Sequence, residues 1–268
     1  MPTLRRLAKT LVPPRLRAAI RSARFSRSVE AYPSRRVRHT YGGVPLEIEL
    51  SDPVAEDWYD RDWPRMPEIE VLSENALRPG ALVFDIGAHQ CVVAMVMART
   101  VSPGGTVVAV EASGHSVAVA GRNRSLNSVE NLEVLHAAIA REPGTLRFSE
   151  LGHRVQTDPG GLAVPAVTID ALAEAHGRPD VVYLDVEGFE GEALLGAERT
   201  LDARPDWMVE VHTGAGLESF GGSVELVLDH FESRGYRLLV APEVGLFLPI
   251  EEGRHLLAQR FMLIALAG

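Results

Sequence analysis

Acidic residues recur in this chain at the ends of hydrophobic runs, where an α/β protein keeps its chemistry. The first run, Leu82 to Gly87, ends in Asp85 and turns through Gly87 and Ala88 towards a helix. Glycine permits close backbone approach at such a strand-to-helix turn, and ligands gather at the carboxyl ends of the strands. A pyrophosphate site would want Gly-x-Gly-x-x-Gly and amides free for anions. Here Asp85 stands two positions before the first glycine, and no second glycine follows before Ser102. A carboxylate in that position repels phosphate and suits an ammonium or sulfonium group. That points to S-adenosylmethionine rather than NAD. The next strand-like run, Thr106 to Val110, ends in Glu111, where an acid is placed to accept hydrogen bonds from both ribose hydroxyls.

A second cluster follows about a hundred residues later. Val181 to Leu184 reads as a buried strand ending in Asp185-Val186-Glu187-Gly188-Phe189-Glu190, and Trp207 to Val211 delivers Glu210 and His212 to the same rim. By strand alternation Glu210 and His212 point to one side and Val211 to the other. If Glu187 and Glu190 both lie on the helix, their three-residue spacing puts them on one face. His212 is the first candidate for a general base, because imidazole titrates near working pH, and Asp185 is the second. Asp185, Glu187 and His212 could also hold a divalent ion, but no spacing here is diagnostic of one, and no metal site is assigned.

These side chains must be held by a sheet with helices on both faces. Strands are expected at 81–86, 106–111, 132–137, 180–185, 207–212, 236–241 and 260–266, with helices near 91–100, 115–127, 168–176, 189–202 and 223–234 between them. The alternation predicts a doubly wound, mainly parallel, seven-stranded sheet whose last two strands pair antiparallel. Upstream, Val37 to Leu50 reads as a hairpin around Gly42-Gly43, and Asp52 to Arg65 as an acidic, Trp-containing helix or loop. The organisation expected is a basic arm over 1–38, a cap over 39–67 and the main domain over 68–268. Thr145 to Ala166, with Arg147, His153, Arg154 and Asp158-Pro159-Gly160-Gly161, reads as a mobile loop over the acceptor or as a surface hairpin.

Charge divides the chain. Residues 1–38 hold eleven Lys or Arg against one acid, and the remainder sixteen against thirty-five, within a net charge of -9. Leu4, Leu7, Leu11, Leu16 and Ile20 recur among the arginines at roughly helical spacing. Such a segment could lie on an anionic membrane surface, but it is short and broken by Pro13-Pro14, so packing on the acidic body or a second subunit is favoured. The acidic body, without interleaved aromatics, argues against nucleic acid. One cysteine, Cys91, rules out an internal disulfide and fits a cytoplasmic protein. No apolar run is long enough to span a membrane. Aromatics make up 6% of the chain, and no aromatic-lined cleft can be inferred from them.

Taken together, Phe84-Asp85-Ile86-Gly87-Ala88, Glu111, Thr168-Ile169-Asp170-Ala171-Leu172, Asp185-Val186-Glu187-Gly188-Phe189-Glu190 and Glu210-Val211-His212 resemble the FkbM-type methyltransferases over roughly residues 68–266. The resemblance implies a class I, Rossmann-like, S-adenosylmethionine-dependent O-methyltransferase acting on a hydroxyl of a sugar, glycolipid or secondary metabolite. It also implies that Asp85, Gly87 and Ala88 lie at the methionine end of the cofactor, followed by His89. Glu111 would lie at the ribose, and His136 and Ala138 near adenine. The sequence departs from the family where glycine is common and Cys91 stands, where an Asn-type residue is common and His89 stands, and at Ala112, where proline often follows the ribose acid. A thiol at 91 would crowd the methionine end. The alternative is therefore a methyltransferase-like domain that has lost turnover and serves as a binding or assembly module; a dehydrogenase is a distant third.

Overall fold

The computed structural model describes residues 27–29, 31–151, 154–157, 161–243 and 245–268. The apolar series from Leu4 to Ile20, His153 and Asp158-Pro159-Gly160 fall outside the described residues.

Eight strands form the main sheet, in the order β13 (Leu248–Pro249), β12 (Arg237–Pro242), β14 (Phe261–Leu266), β11 (Asp206–Val211), β10 (Val181–Leu184), β3 (Leu82–Ile86), β4 (Thr106–Glu111) and β5 (Leu132–His136). β5, β4, β3, β10 and β11 are parallel, and β14 runs antiparallel between β11 and β12. Seven strands are those expected from sequence. The eighth is the two-residue β13, lying between β12 and β14 in the chain and too short to leave a periodic signal. The central strands are almost wholly apolar because helices cover both faces.

Chain order within the sheet reverses between β3 and β10. From β3 the chain moves outward through β4 to β5, and from β10 it moves the opposite way to β11. A crevice opens at such a switch point, beyond the carboxyl ends of the strands. Register then fixes what lines it. Ile86 pairs with both Val110 and Leu184, so Gly87, Glu111 and Asp185 emerge at one level.

The helices are α1 (Pro53–Tyr59), α2 (Pro67–Ser73), α3 (Val92–Thr100), α4 (Gly114–Leu126), α5 (Ile169–His176), α6 (Glu190–Leu195), α7 (Glu198–Asp202), α8 (Val224–Glu232) and α9 (Ile250–Gly253). The expected 189–202 helix is thus two, separated by Gly196 and Ala197. Caps mark several starts: Asp52 accepts from the Ala55 amide, Ser113 from Ser116, Thr168 from Ala171 and Ser223 from Leu226. In the Thr168 to Leu172 segment Asp170 accepts from the Thr200 amide and hydroxyl and from the Arg199 amide. That motif is a joint between α5 and α7, away from the crevice.

The N-terminal hairpin is β1 (Arg35–Tyr41) and β2 (Val44–Leu50), turning at Gly42-Gly43. Its first strand begins inside the stretch that charge alone assigns to the basic arm. Tyr41, Leu46, Ile48 and Leu50 are buried in the same core as α3 and β3. Side chains of α4 and of its C-cap residue complete the attachment: Asn123 and Asn127 accept from the Glu49 and Glu47 amides, and Arg122 pairs with Glu49.

Among the described residues, the segment after β5 forms a second, four-stranded sheet, which takes the hairpin form of the two expected from sequence. β6 (Ala138–Ile139), β9 (Leu162–Val167), β7 (Gly144–Leu151) and β8 (Arg154–Thr157) follow in that spatial order. The β7–β9 antiparallel pairing from Gly144↔Ala166 to Phe148↔Leu162 supplies the hydrogen bonds that a loop would leave open.

Candidate active site

One cavity opens at the switch point, and both sequence clusters reach it. Asp85, Gly87, Ala88, His89, Glu111 and Ala138 line it together with Asp185 and Glu187. His136 is not on the wall; its side chain is exposed and its Nε2 lies 3.1 Å from the Ala112 carbonyl. His212 is also off the wall, lying behind Asp185 and Glu187.

Gly87 is fixed by geometry. Its φ is +87°, and a Cβ there would lie 1.7 Å from the Asp185 carbonyl oxygen. The backbones of the two clusters therefore meet at this residue, as the Asp185 amide does when it donates to Ile86 O at 2.9 Å. Glu111 organises the turn from the far side: its Oε2 accepts from the His89 amide at 2.8 Å and its Oε1 from the Ser113 amide at 2.7 Å.

Asp85 is 2% exposed, and its Oδ2 has no hydrogen-bond partner. Burial, and secondarily the Glu111 charge, push its pKa up to about 8. What this carboxylate lacks is a cation. The ammonium group of an S-adenosylmethionine molecule would supply one, so the residues present fit that cofactor. In the protein alone, folding favours protonated Asp85. Its charge therefore costs stability progressively as pH rises from about 4 to about 8 and costs a constant amount above that. Asp85→Asn is expected to melt higher than wild type, with a gap that widens over this window to the order of several kcal/mol. Melting curves from pH 5 to 9 check this; a gap independent of pH would show that Asp85 is already paired.

His89 carries a left-handed φ of 47° and lines the cavity. Burial pushes its pKa down to about 4, so it is neutral, and its Nδ1 lies 3.1 Å from the Tyr59 hydroxyl. Cys91 has φ 63°, the conformation that explains why a glycine suits this position. Its thiol is wholly buried in the hydrophobic core and is not on the cavity wall. Of the packing and pocket roles open to this position, packing is the one seen.

Glu187, also on the wall, stands before α6 rather than on it, with φ 54°. That turn sends Glu187 and Glu190 to opposite nitrogens of one imidazole. His212 Nδ1 lies 2.7 Å from Glu190 Oε1, and Nε2 lies 3.3 Å from Glu187 Oε2 and 3.7 Å from Asp185 Oδ1. Burial opposes charging His212, but Glu187, Glu190 and Asp185 outweigh it and push its pKa up to about 11. Burial raises the Asp185 pKa well above the carboxylate range, with the Glu210 and Glu187 charges adding to it and His212 opposing. The Asp185 side chain is nevertheless 29% exposed, through the cavity. Glu210 is paired with Arg260.

The wall also holds aromatic residues that composition did not reveal. Trp58 and Tyr59 come from α1, and Phe189 and Phe220 pack edge to face at 5.0 Å. Asp52, also on the wall, accepts from Gln90 Nε2 at 2.6 Å and lies 3.2 Å from His115 Nε2. The signal for Trp58 and Tyr59 was present as aromatic residues in the cap; what sequence could not supply was the folding of the cap over the crevice.

The parallel sheet with its reversal at β3 and β10, and an antiparallel strand set between β11 and β12, is the arrangement of class I methyltransferases. Residues 85–238, more than half of the chain, match the methyltransferase FkbM domain, and the protein belongs to that family. Among solved structures it is similar to a precorrin-6Y C5,15-methyltransferase from Geobacter metallireducens, with 14% identity over 77% of this chain and 90% of that one and a TM-score of 0.47. It is similar to a methyltransferase FkbM from Methylobacillus flagellatus, with 14% identity over 69% of this chain and 43% of that one and a TM-score of 0.47. A SAM-dependent O-methyltransferase from Thermotoga maritima gives 13% identity over 88% and 78% and a TM-score of 0.46. No curated protein matches the chain. No helix among the described residues is long and apolar enough to cross a membrane.

Proposed function

We propose that this protein transfers the methyl group of S-adenosylmethionine to a hydroxyl of a sugar, glycolipid or secondary metabolite. The observation that carries the reading is the sharing of one cavity by two unlike sets of carboxylates. Asp85 and Glu111 suit the ammonium and ribose of the cofactor, while Asp185 and Glu187 line the same cavity and are left for the acceptor.

In this reading the acceptor oxygen attacks the sulfonium methyl in line, the C–S bond breaks and S-adenosylhomocysteine leaves. Alignment of the two reactants supplies most of the acceleration, worth about 7 to 11 kcal/mol. The hydroxyl proton goes to Asp185, whose side chain lines the cavity. His212, 1% exposed and off the wall, positions Asp185 and Glu187 from behind. Trp58, Tyr59, Phe189 and Phe220 offer apolar rings to the acceptor, which favours a molecule with an apolar face over a highly charged one. The cap and β7–β9 would frame its entry.

The reading is tested by incubating the protein with methyl-labelled S-adenosylmethionine and a panel of acceptors in which hydroxyl, amine and carboxylate groups are presented on matched scaffolds. Label is expected in hydroxyl acceptors, as an ether stable to mild base. Transfer only to amines or carboxylates would overturn the assignment to hydroxyls.

A further inference from the structure

Asp185, Glu187 and His212 converge on a point that none of their side chains fills. Each offers one ligand atom there, and the three atoms lie within 4.8 Å of one another. Two oxygens bound to one cation at about 2.4 Å can be no farther apart than about that distance. His212 is the decisive member. It is 1% exposed, and its Nε2 is aimed at the two carboxylates without a hydrogen-bond partner. Its other nitrogen, Nδ1, is held by Glu190, which is itself fixed by the Gly188 amide at 2.8 Å. A carboxylate behind one ring nitrogen, turning the other towards an open point, is how metal-bound histidines are oriented.

A divalent ion at this point would displace the proton that the carboxylates favour on His212. Nε2 stands 3.3 Å from Glu187 and 3.7 Å from Asp185 without hydrogen-bond geometry to either, and Asp185 Oδ1 is also left unpartnered. Asp185, Glu187, Glu190 and Glu210 crowd around one imidazole, and Arg260 pairs directly with Glu210 among them.

We propose that Asp185, Glu187 and His212 bind one divalent cation at the cavity edge, with Glu190 orienting the histidine. Two carboxylates and an imidazole suit an ion of the Mn2+ class better than soft, thiolate-seeking metals. Asp185 and Glu187 line the cavity, so the remaining positions of the ion open towards the acceptor. There it would bind the acceptor oxygen and ease loss of its proton, while the second oxygen of Asp185 receives that proton. This role rests on the methyl-transfer reading; the existence of the site does not.

The test is titration of MnCl2 into the full chain, following the loss of the free Mn2+ paramagnetic signal, with and without S-adenosylhomocysteine. One ion per chain is expected, with affinity reduced about 10- to 100-fold in Glu190→Gln and at least as much in Glu187→Gln. Glu187→Gln preserves shape at a side chain on the cavity wall, so it remains informative if a change at the buried Glu190 prevents folding. Failure of the wild type to bind Mn2+, or undiminished binding by Glu187→Gln, would overturn the site. Mn2+ binding without any binding of S-adenosylhomocysteine would uphold the site and sink the methyl-transfer reading. The opposite pattern would do the reverse.

Discussion

Asp185→Asn is expected to lower methyl transfer by about 10²- to 10⁴-fold while leaving affinity for S-adenosylhomocysteine nearly unchanged. The amide keeps the size of the side chain but cannot take the acceptor proton. Its neighbours make the loss specific to turnover: Asp185 faces His212 at 3.7 Å on one side and the cavity on the other. Steady-state kinetics with the labelled donor and a hydroxyl acceptor separate the two quantities. An equal loss in cofactor affinity would place Asp185 in the cofactor site, and full activity would remove it from the chemistry.

Gly87→Ala should have the largest effect on the fold. A Cβ at 1.7 Å from the Asp185 carbonyl oxygen cannot be relieved by a side-chain rotation, because the obstructing atom belongs to the backbone, and the φ of +87° adds its own strain. β3 and β10 would have to separate at their carboxyl ends. A loss on the order of 3 to 5 kcal/mol is expected, together with loss of cofactor binding, since the same separation opens the crevice. Chemical denaturation measures it. By contrast, Gly43→Ala, where no atom lies within 4 Å, bears only the cost of its own positive φ. Equal stability of the two variants would show that the close approach at Gly87 carries no weight.

Much of this architecture was legible because its signals are local. The strands that carry Asp85, Glu111 and Asp185 are apolar runs ending in acid, and burial on both faces leaves such runs unbroken. Thr168 and Ser223 are capping residues standing where helices begin. The turn at Gly42-Gly43 was equally plain. What escaped depends on distant contacts. β13 is two residues long. The strands between Gly144 and Val167 lack the continuous apolar character of the main sheet, and polar strands read as loop. Glu187 looks helical by its spacing from Glu190, yet its left-handed backbone removes it from the helix, and only the fold shows that both reach His212. Cys91 looked like a pocket residue from its place in the motif, whereas the turn of α3 carries it into the core. Trp58 and Tyr59 were visible as residues, but their place over the cavity is set by the packing of the hairpin and α1 on α3 and α4.

The central claim, that Asp85 and Glu111 form the cationic-nucleoside site of the cavity, is tested most directly by calorimetric titration of S-adenosylhomocysteine into the wild-type protein and into Asp85→Asn. The account predicts one molecule bound per chain, with affinity rising as pH increases through about 8, where Asp85 ionises. It predicts affinity lowered by about 10- to 100-fold in the variant, the worth of a charged hydrogen bond. A wild-type protein that binds no S-adenosylhomocysteine at any pH from 6 to 9, or a variant that binds it as tightly as wild type, would contradict it.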